Sequence, residues 1–340
     1  MKTSSSTLDA RAVFAAPVAL CVACVIRLTG AATSASPGPT FSQADQNPGP
    51  GWTVIAYGDT RFTDPTNAVA VNPKVRRWLV QKIAEENPDA ILLSGDLPYT
   101  GSDANDYRVF RETTAWRDRH IHCYPAIGNH ELEGGEQSGL KNWWNTFPDL
   151  NGRRWYSVAY RNAYFILLDT DAPLTSGSEQ RNWFDQEIAH LPPKMQFVFV
   201  VQHHPPIADL PMDPGHTPQA NEVGFAHHLE EQAATLPVNF IVVAGHIHNY
   251  ERFAENGVEY LISGGGGAKP HQVPRGPEDF YKDPLFPNYH YIKFTFDGKE
   301  IKASMVRLAN PEGDTPVWET KDAFTVASAH SRDVRERGIR

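Results

Sequence analysis

Five short stretches, each closing an apolar, β-branched run, constrain this chain more than any other feature. They are Gly58-Asp59-Thr60-Arg61, Gly95-Asp96-Leu97-Pro98-Tyr99, Gly128-Asn129-His130-Glu131, Val200-Val201-Gln202-His203 and Gly245-His246-Ile247-His248. The runs ahead of them, at 53–57, 90–94, 121–127, 197–201 and 240–244, read as strands. Helical patterns separate the first three, at 73–86 with Pro73 at its start and at 105–119. Strand and helix in alternation predict βαβ units with parallel pairing, and open α/β sheets gather ligands at the carboxyl ends of their strands.

The rest of the chain varies that pattern. Residues 156–159 and 163–168 read as a hairpin-like pair, 178–190 as a helix in which Ser176 and Glu179 have capping-box spacing, and 222–235 as another helix. Strands at 259–262, 291–296 and 302–308 imply antiparallel hairpins, so the expected fold class is α/β with mixed sheets and outer helices. Residues 36–51 are rich in Pro and Gly and read as a linker; no domain boundary follows between 52 and 327, and 328–340 form a polar, charged tail.

With 340 residues, 41% of them hydrophobic, the chain has ample material for a core. A net charge of −9 argues against nucleic-acid binding, because neutralising phosphates needs clustered Lys and Arg. Bound cations can reverse that balance locally, so anionic substrates stay open. Lys2 and Arg11 precede an apolar stretch at 13–26 that is short for a membrane span, and small residues follow at 30–35. Residues 1–35 therefore read as a signal peptide, which predicts a secreted or periplasmic protein with no membrane association beyond export. Cys21 and Cys24 lie in that segment, so the exported chain keeps only Cys123, read as a buried structural thiol, and no internal disulfide. Oligomeric state is left open.

Carboxylates are hard oxygen ligands, and imidazole suits zinc, iron and similar ions. Two such ions about 3.5–4 Å apart can clamp the attacking and departing oxygens of a phosphoryl displacement. One bridging ligand and several terminal ones are needed, and Asp59, Asp96, Tyr99, Asn129, His203, His246 and His248 form a matching inventory.

This set resembles the calcineurin-like metallophosphoesterases and, more narrowly, the purple acid phosphatases. Arg61 stands where most of that superfamily has a metal-binding His, and Tyr99 in Gly-Asp-x-x-Tyr supplies the exchange that marks the purple enzymes. The run Gly245-His246-Ile247-His248-Asn249-Tyr250-Glu251-Arg252 is also similar to their fifth motif. The resemblance implies a four-layer α-β-β-α sandwich. It places Asp59, Tyr99 and His248 on a first metal, iron(III), and Asn129, His203 and His246 on a second, divalent iron, zinc or manganese, with Asp96 bridging. His130 becomes a phosphate-binding group or general acid and Asn129 a substrate contact. Arg61 departs from the purple enzymes, which usually have a small residue there, and reads as a phosphate contact or as narrowing the pocket. The implied reaction is direct hydrolysis of a phosphorylated small molecule by hydroxide generated at the metals. A secreted phosphomonoesterase leads; a phosphodiesterase or nucleotide pyrophosphatase on the same site is the alternative.

Other residues are weighed on their surroundings. Glu131 reads as a partner that orients ligands rather than as a ligand. His204, pointing away from a ligand neighbour in an extended chain, reads as structural, and His120 and His122 as ordinary surface or core groups. His216, in the long loop at 205–221, is a catalytic or substrate-contact candidate. The loop at 268–288, after four glycines, carries Lys269, His271 and Arg275 and is either a wall of the site or a connector. Trp143, Trp144 and Phe147 have helical spacing and read as core.

Overall fold

A computed structural model describes residues 38–43, 51–116, 119, 121–209 and 215–329. The signal-peptide reading, most of the polar tail and His120 lie outside the described residues. The strands are β1 (Phe41–Gln43), β2 (Trp52–Tyr57), β3 (Ala90–Leu93), β4 (His122–Pro125), β5 (Tyr156–Tyr160), β6 (Ala163–Leu167), β7 (Phe197–Val201), β8 (Asn239–Ala244), β9 (Tyr250–Glu255), β10 (Val258–Ser263), β11 (His290–Asp297), β12 (Glu300–Leu308) and β13 (Trp318–Ala327). The helices are α1 (Pro73–Glu86), α2 (Ala104–Thr113), α3 (Asn129–Leu132), α4 (Glu136–Thr146), α5 (Glu179–Ala189) and α6 (Ala220–Thr235).

Two mixed sheets result. One has the order β13-β12-β11-β2-β3-β4, parallel across β2, β3 and β4 and antiparallel beyond. The other has the order β1-β5-β6-β7-β8-β10-β9, with parallel pairing from β6 through β10. Period-two alternation sorts the second sheet's side chains. Leu167, Phe199, Val201, Ile241 and Val243 enter an apolar cluster shared with Ile55 and Phe294 of the first sheet. Their neighbours Ile166, Val198, Val200, Phe240 and Val242 enter a second cluster with Phe184 of α5 and Phe225 and Leu229 of α6. Phe199 meets Phe294 edge-on at 5.1 Å across the sandwich. Leu79 of α1, Phe110 of α2 and Trp143 of α4 are buried with the first sheet, which completes the α-β-β-α layering.

Several local readings are revised. Within the stretch read as a linker, Phe41–Gln43 pair in parallel with β5. Helix α2 ends at Thr113, where Thr113 and Thr114 turn their hydroxyls back onto the carbonyls of Val109 and Phe110. The chain then buries Trp116 edge-on against Tyr57, at 6.1 Å. The N-cap of α5 is Ser178, whose Oγ accepts from the Arg181 N–H at 3.3 Å, and not Ser176. Strands β9 and β13 went unread because charged residues interrupt their apolar ones; each lies at a sheet edge and borrows its pairing from one neighbour. Cys123 is half-buried on the edge strand β4 rather than enclosed. Among the described residues no helix is long and apolar enough to cross a membrane.

Candidate metal centre

The motif residues follow β2, β3, β4, β7 and β8, and the two sheets are stitched at this end by the Gly58 N–H, which donates across to the Ser263 carbonyl of β10. Each turn must leave its strand sharply. Asp59, Asp96 and His246 have φ of 60°, 56° and 70°, and Arg61 has 43°. Left-handed backbone at a residue other than Gly costs on the order of 1–3 kcal/mol and persists where surroundings enforce it, as functional sites do. Closeness also sets composition. A Cβ on Gly128 would lie 2.6 Å from Asp96 Oδ1, and one on Gly95, itself at φ +91°, 2.7 Å from His203 Nδ1.

Three imidazoles are oriented in the same way. His203 donates from Nδ1 to the Ser94 carbonyl at 2.8 Å, His246 from Nε2 to the Gly215 carbonyl at 2.7 Å, and His248 from Nδ1 to the Lys269 carbonyl at 2.6 Å. A carbonyl only accepts, so each ring's proton is fixed there and its other nitrogen is a lone pair. Those lone pairs converge. His203 Nε2 lies 3.0 Å from Asn129 Oδ1, 3.2 Å from Asp96 Oδ1 and 3.3 Å from His246 Nδ1. His248 Nε2 lies 3.4 Å from Asp59 Oδ1 and is buried with no hydrogen-bond partner. Acceptors facing acceptors in a buried cluster are stable when cations sit among them.

The carboxylates are held from behind. Asp59 accepts the His246 N–H at 3.1 and 3.0 Å, and Asp96 Oδ1 accepts the His130 N–H at 3.0 Å. Glu131, fully buried, accepts the N–H groups of Asp96, Leu97 and Gly128 at 2.9, 2.8 and 2.7 Å, so one carboxylate ties motif two to motif three. Arg61 Nη2 lies 3.3 Å from Asp96 Oδ2. His130 Nδ1 bonds the Tyr99 carbonyl, which leaves Nε2 facing Asp96 Oδ2 at 3.9 Å.

Burial and the charge of Asp96 push Asp59 up to about 8. Burial works against charge on Asp96 too, but His203, His130 and Arg61 outweigh it and hold that carboxyl far below the usual range. Two carboxylates this close share their charge unevenly unless cations relieve them. Burial followed by the Arg61 charge brings His248 down to about 3; burial lowers His203 and His246 as well, which favours the neutral, ligating form of all three. Burial and Asp96 drive Glu131 well up, against three N–H donors that favour its ionised form.

Asp59, Asp96, Asn129, His203, His246 and His248 are thus brought together, and Asp59, Asp96 and His203 offer ligand atoms within 4.8 Å of one another. Tyr99 is not drawn in to the same degree. It is half-buried with its ring 5.8 Å from that of His130, and among the described residues its hydroxyl bonds none of Asp59, Asp96 or His248. His216 reaches the site from its loop, its ring 4.9 Å from that of His246 and 4.5 Å from that of His271. His122 stacks on Tyr124 at the surface, away from the cluster.

His204 is the residue that sequence reasoning missed, and His271 the one it left open. Alternation turns His204 away only while the strand lasts, and β7 ends at Val201. Beyond it the His204 ring lies 4.4 Å from that of His246, anchored by Nδ1 on Thr170 Oγ1 at 2.8 Å, and lines a cavity of about 220 Å³ with His216 and Glu222. His271 stacks on His248 at 4.0 Å and accepts its backbone N–H at 3.1 Å. Its loop, left as wall or connector, is a wall.

The model of one protein family, the calcineurin-like phosphoesterases, matches residues 54–250, more than half of the chain. The chain belongs to that family. A calcineurin-like phosphoesterase is a metal-dependent phosphoester hydrolase with a dimetal centre, and the lone-pair cluster just described has the donor set to hold one. Among solved structures, the chain is similar to a purple acid phosphatase from yellow lupin seeds, at 18% identity and a TM-score of 0.61, covering 85% of this chain and 55% of that one. A dimetal phosphatase from Danio rerio matches at 16% and 0.53 over 81% and 100%. The anchor in the inner membrane complex of Plasmodium matches at 13% and 0.54 over 82% and 89%. Such likenesses establish the fold. No curated protein matches by sequence.

Proposed function

We propose that this chain is a secreted phosphomonoesterase whose dimetal centre uses Asp59, His248 and Tyr99 around one ion and Asn129, His203 and His246 around the other, with Asp96 between them. The observation that carries the reading is one buried cluster of three carbonyl-anchored imidazoles and two carboxylates, in which His203 Nε2 faces Asp96 and His246 Nδ1, and His248 Nε2 faces Asp59. When bound, the cations, iron(III) with divalent iron, zinc or manganese, supply Lewis acidity toward water and phosphate oxygens.

The chain's own groups do the rest. His130, its Nδ1 committed to the Tyr99 carbonyl, has Nε2 free to carry a second proton and pass it to the departing alkoxide. Arg61, His204 and His216 line the cleft around the cluster, and such donors favour the three unsubstituted oxygens of a terminal phosphate over the two of a diester. Displacement by water is read as direct, because none of the usual motifs of a covalent phosphoenzyme nucleophile appears in the sequence. Residues 1–35 direct export, which N-terminal sequencing of the exported protein would check.

Turnover of a monoester against a diester chromogenic substrate, with metal analysis and a visible spectrum on the same sample, tests the proposal. Faster monoester hydrolysis, two metals per chain and a purple band support it. Faster diester hydrolysis overturns the substrate class and favours the phosphodiesterase or pyrophosphatase alternative. In the iron-loaded protein Tyr99→Phe is expected to abolish the band with the fold unchanged by circular dichroism; unchanged colour removes Tyr99 from the centre.

A further inference from the structure

Outside the dimetal centre, Asp209, Glu251 and Asp279 bring three carboxylates together, with ligand oxygens within 4.8 Å of one another. They come from three places: the segment that follows motif four, strand β9 just after motif five, and the long loop between β10 and β11. Glu251 is 0% and Asp279 1% exposed, so this is not a solvated acidic patch.

The available donors do not satisfy the cluster. Glu251 Oε2 accepts the Asp209 N–H at 2.6 Å, and Asp279 Oδ1 accepts the N–H groups of Arg252 and Tyr281 at 2.9 and 2.8 Å. Glu251 Oε1 and Asp209 Oδ2 are buried and meet no hydrogen-bond partner. Arg275 Nη1 lies 3.1 Å from Asp279 Oδ2, but its guanidinium is also committed to the Tyr250 carbonyl at 2.7 Å and Asn249 Oδ1 at 3.0 Å. One guanidinium against three carboxylates leaves a surplus that one divalent cation would neutralise.

We infer that Asp209, Glu251 and Asp279 form a third cation site, separate from the dimetal centre, that takes a hard divalent ion of the calcium class. The donors are all oxygen, with no imidazole or thiolate, which selects calcium over zinc or iron. Without the ion, burial pushes Glu251 up to about 8 and Asp279 to about 6, so protons would have to take its place. The site pins the segment after β7 and the loop carrying His271 to β9, and His271 in turn holds the backbone N–H of His248. Bound calcium therefore sets the position of two walls of the phosphoesterase cleft while taking no part in the chemistry.

The test uses the full chain stripped of metals, with Ca²⁺ alone as the probe, up to about 1 mM, the range of extracellular calcium modules. Calorimetric binding and the unfolding midpoint are followed in the unaltered protein, Glu251→Gln and Asp96→Asn. The expected result is a calcium-dependent rise in midpoint that Asp96→Asn keeps and Glu251→Gln loses, with calcium affinity at least about 100-fold weaker in the latter. Equal responses in Glu251→Gln and the unaltered protein overturn the inference. So does the absence of a calcium response in the unaltered protein, which would assign the cluster to carboxyls held by shared protons. If Glu251→Gln does not fold, Asp209→Asn, at a half-buried position, gives the same reading.

Discussion

At the residue scale, the centre depends on side chains that hold ligands as much as on the ligands. Asp96→Asn keeps the volume but removes the charge facing His203 Nε2 and Arg61 Nη2. Hydrolysis is expected to fall by about 1,000-fold or more, with metal content reduced in the same sample, a loss of transition-state stabilisation rather than of binding alone. Glu131→Gln is subtler. Either amide orientation points an NH₂ at backbone N–H donors of Asp96, Leu97 or Gly128, leaving a buried donor unsatisfied. We expect about 1–3 kcal/mol of lost stability by denaturant titration, and metal affinity about 10–100-fold weaker by competition with a chelating dye. The ligands were legible because their residue types and positions at strand ends are written in the chain. His204 was not, since it needed the end of β7; His271 was legible only as part of a loop that could be wall or connector, because its seat on the His248 ring is a contact through space.

At the element scale, amphipathic helices and buried strands were readable from periodicity, and α1 runs over the residues its pattern marks, from the Asn72 cap to Asn87 in left-handed conformation. Edge strands interrupted by charge were not: β13 packs Val326, Phe324 and Trp318 on the core, but Glu319, Lys321 and Asp322 between them hide the pattern, and its pairing comes from β12 alone. One cross-link between elements makes a pH prediction. Glu86 of α1 accepts from Lys293 of β11 at 2.6 Å and pairs with Lys82 at 2.7 Å. Burial opposes its charge, but Lys293 and Lys82 outweigh burial and bring it down to about 2 from an ordinary 4.5. A carboxyl lowered in the folded state contributes stability that is complete above its unfolded value and is lost as pH falls toward the folded one. Glu86→Gln should therefore flatten the decline in stability between about pH 5 and pH 2, read by urea unfolding at a series of pH values; an unchanged slope would show that the pair adds nothing there.

For the whole molecule, the two sheets meet at the cluster, so cations bound there join motifs from both. Because they bind the folded state alone, removing them with a chelator is expected to lower the unfolding midpoint. At ligand concentrations about 100 times the dissociation constant, each site contributes about 2.7 kcal/mol. Scanning calorimetry before and after chelation, with restoration by the divalent metal, measures it; an unmoved midpoint would mean that the cluster is stable empty. What the sequence by itself determined is the chemistry: hard and imidazole ligands at the ends of apolar strands, in an order that points to a phosphoesterase. What only the tertiary structure decided is which atoms face inward. Ring tautomers are set by the carbonyls of Ser94, Gly215 and Lys269, and the acidic triad is assembled from segments far apart in the chain. Both depend on distances through space, and sequence periodicity fixes a side chain's direction only within one regular element.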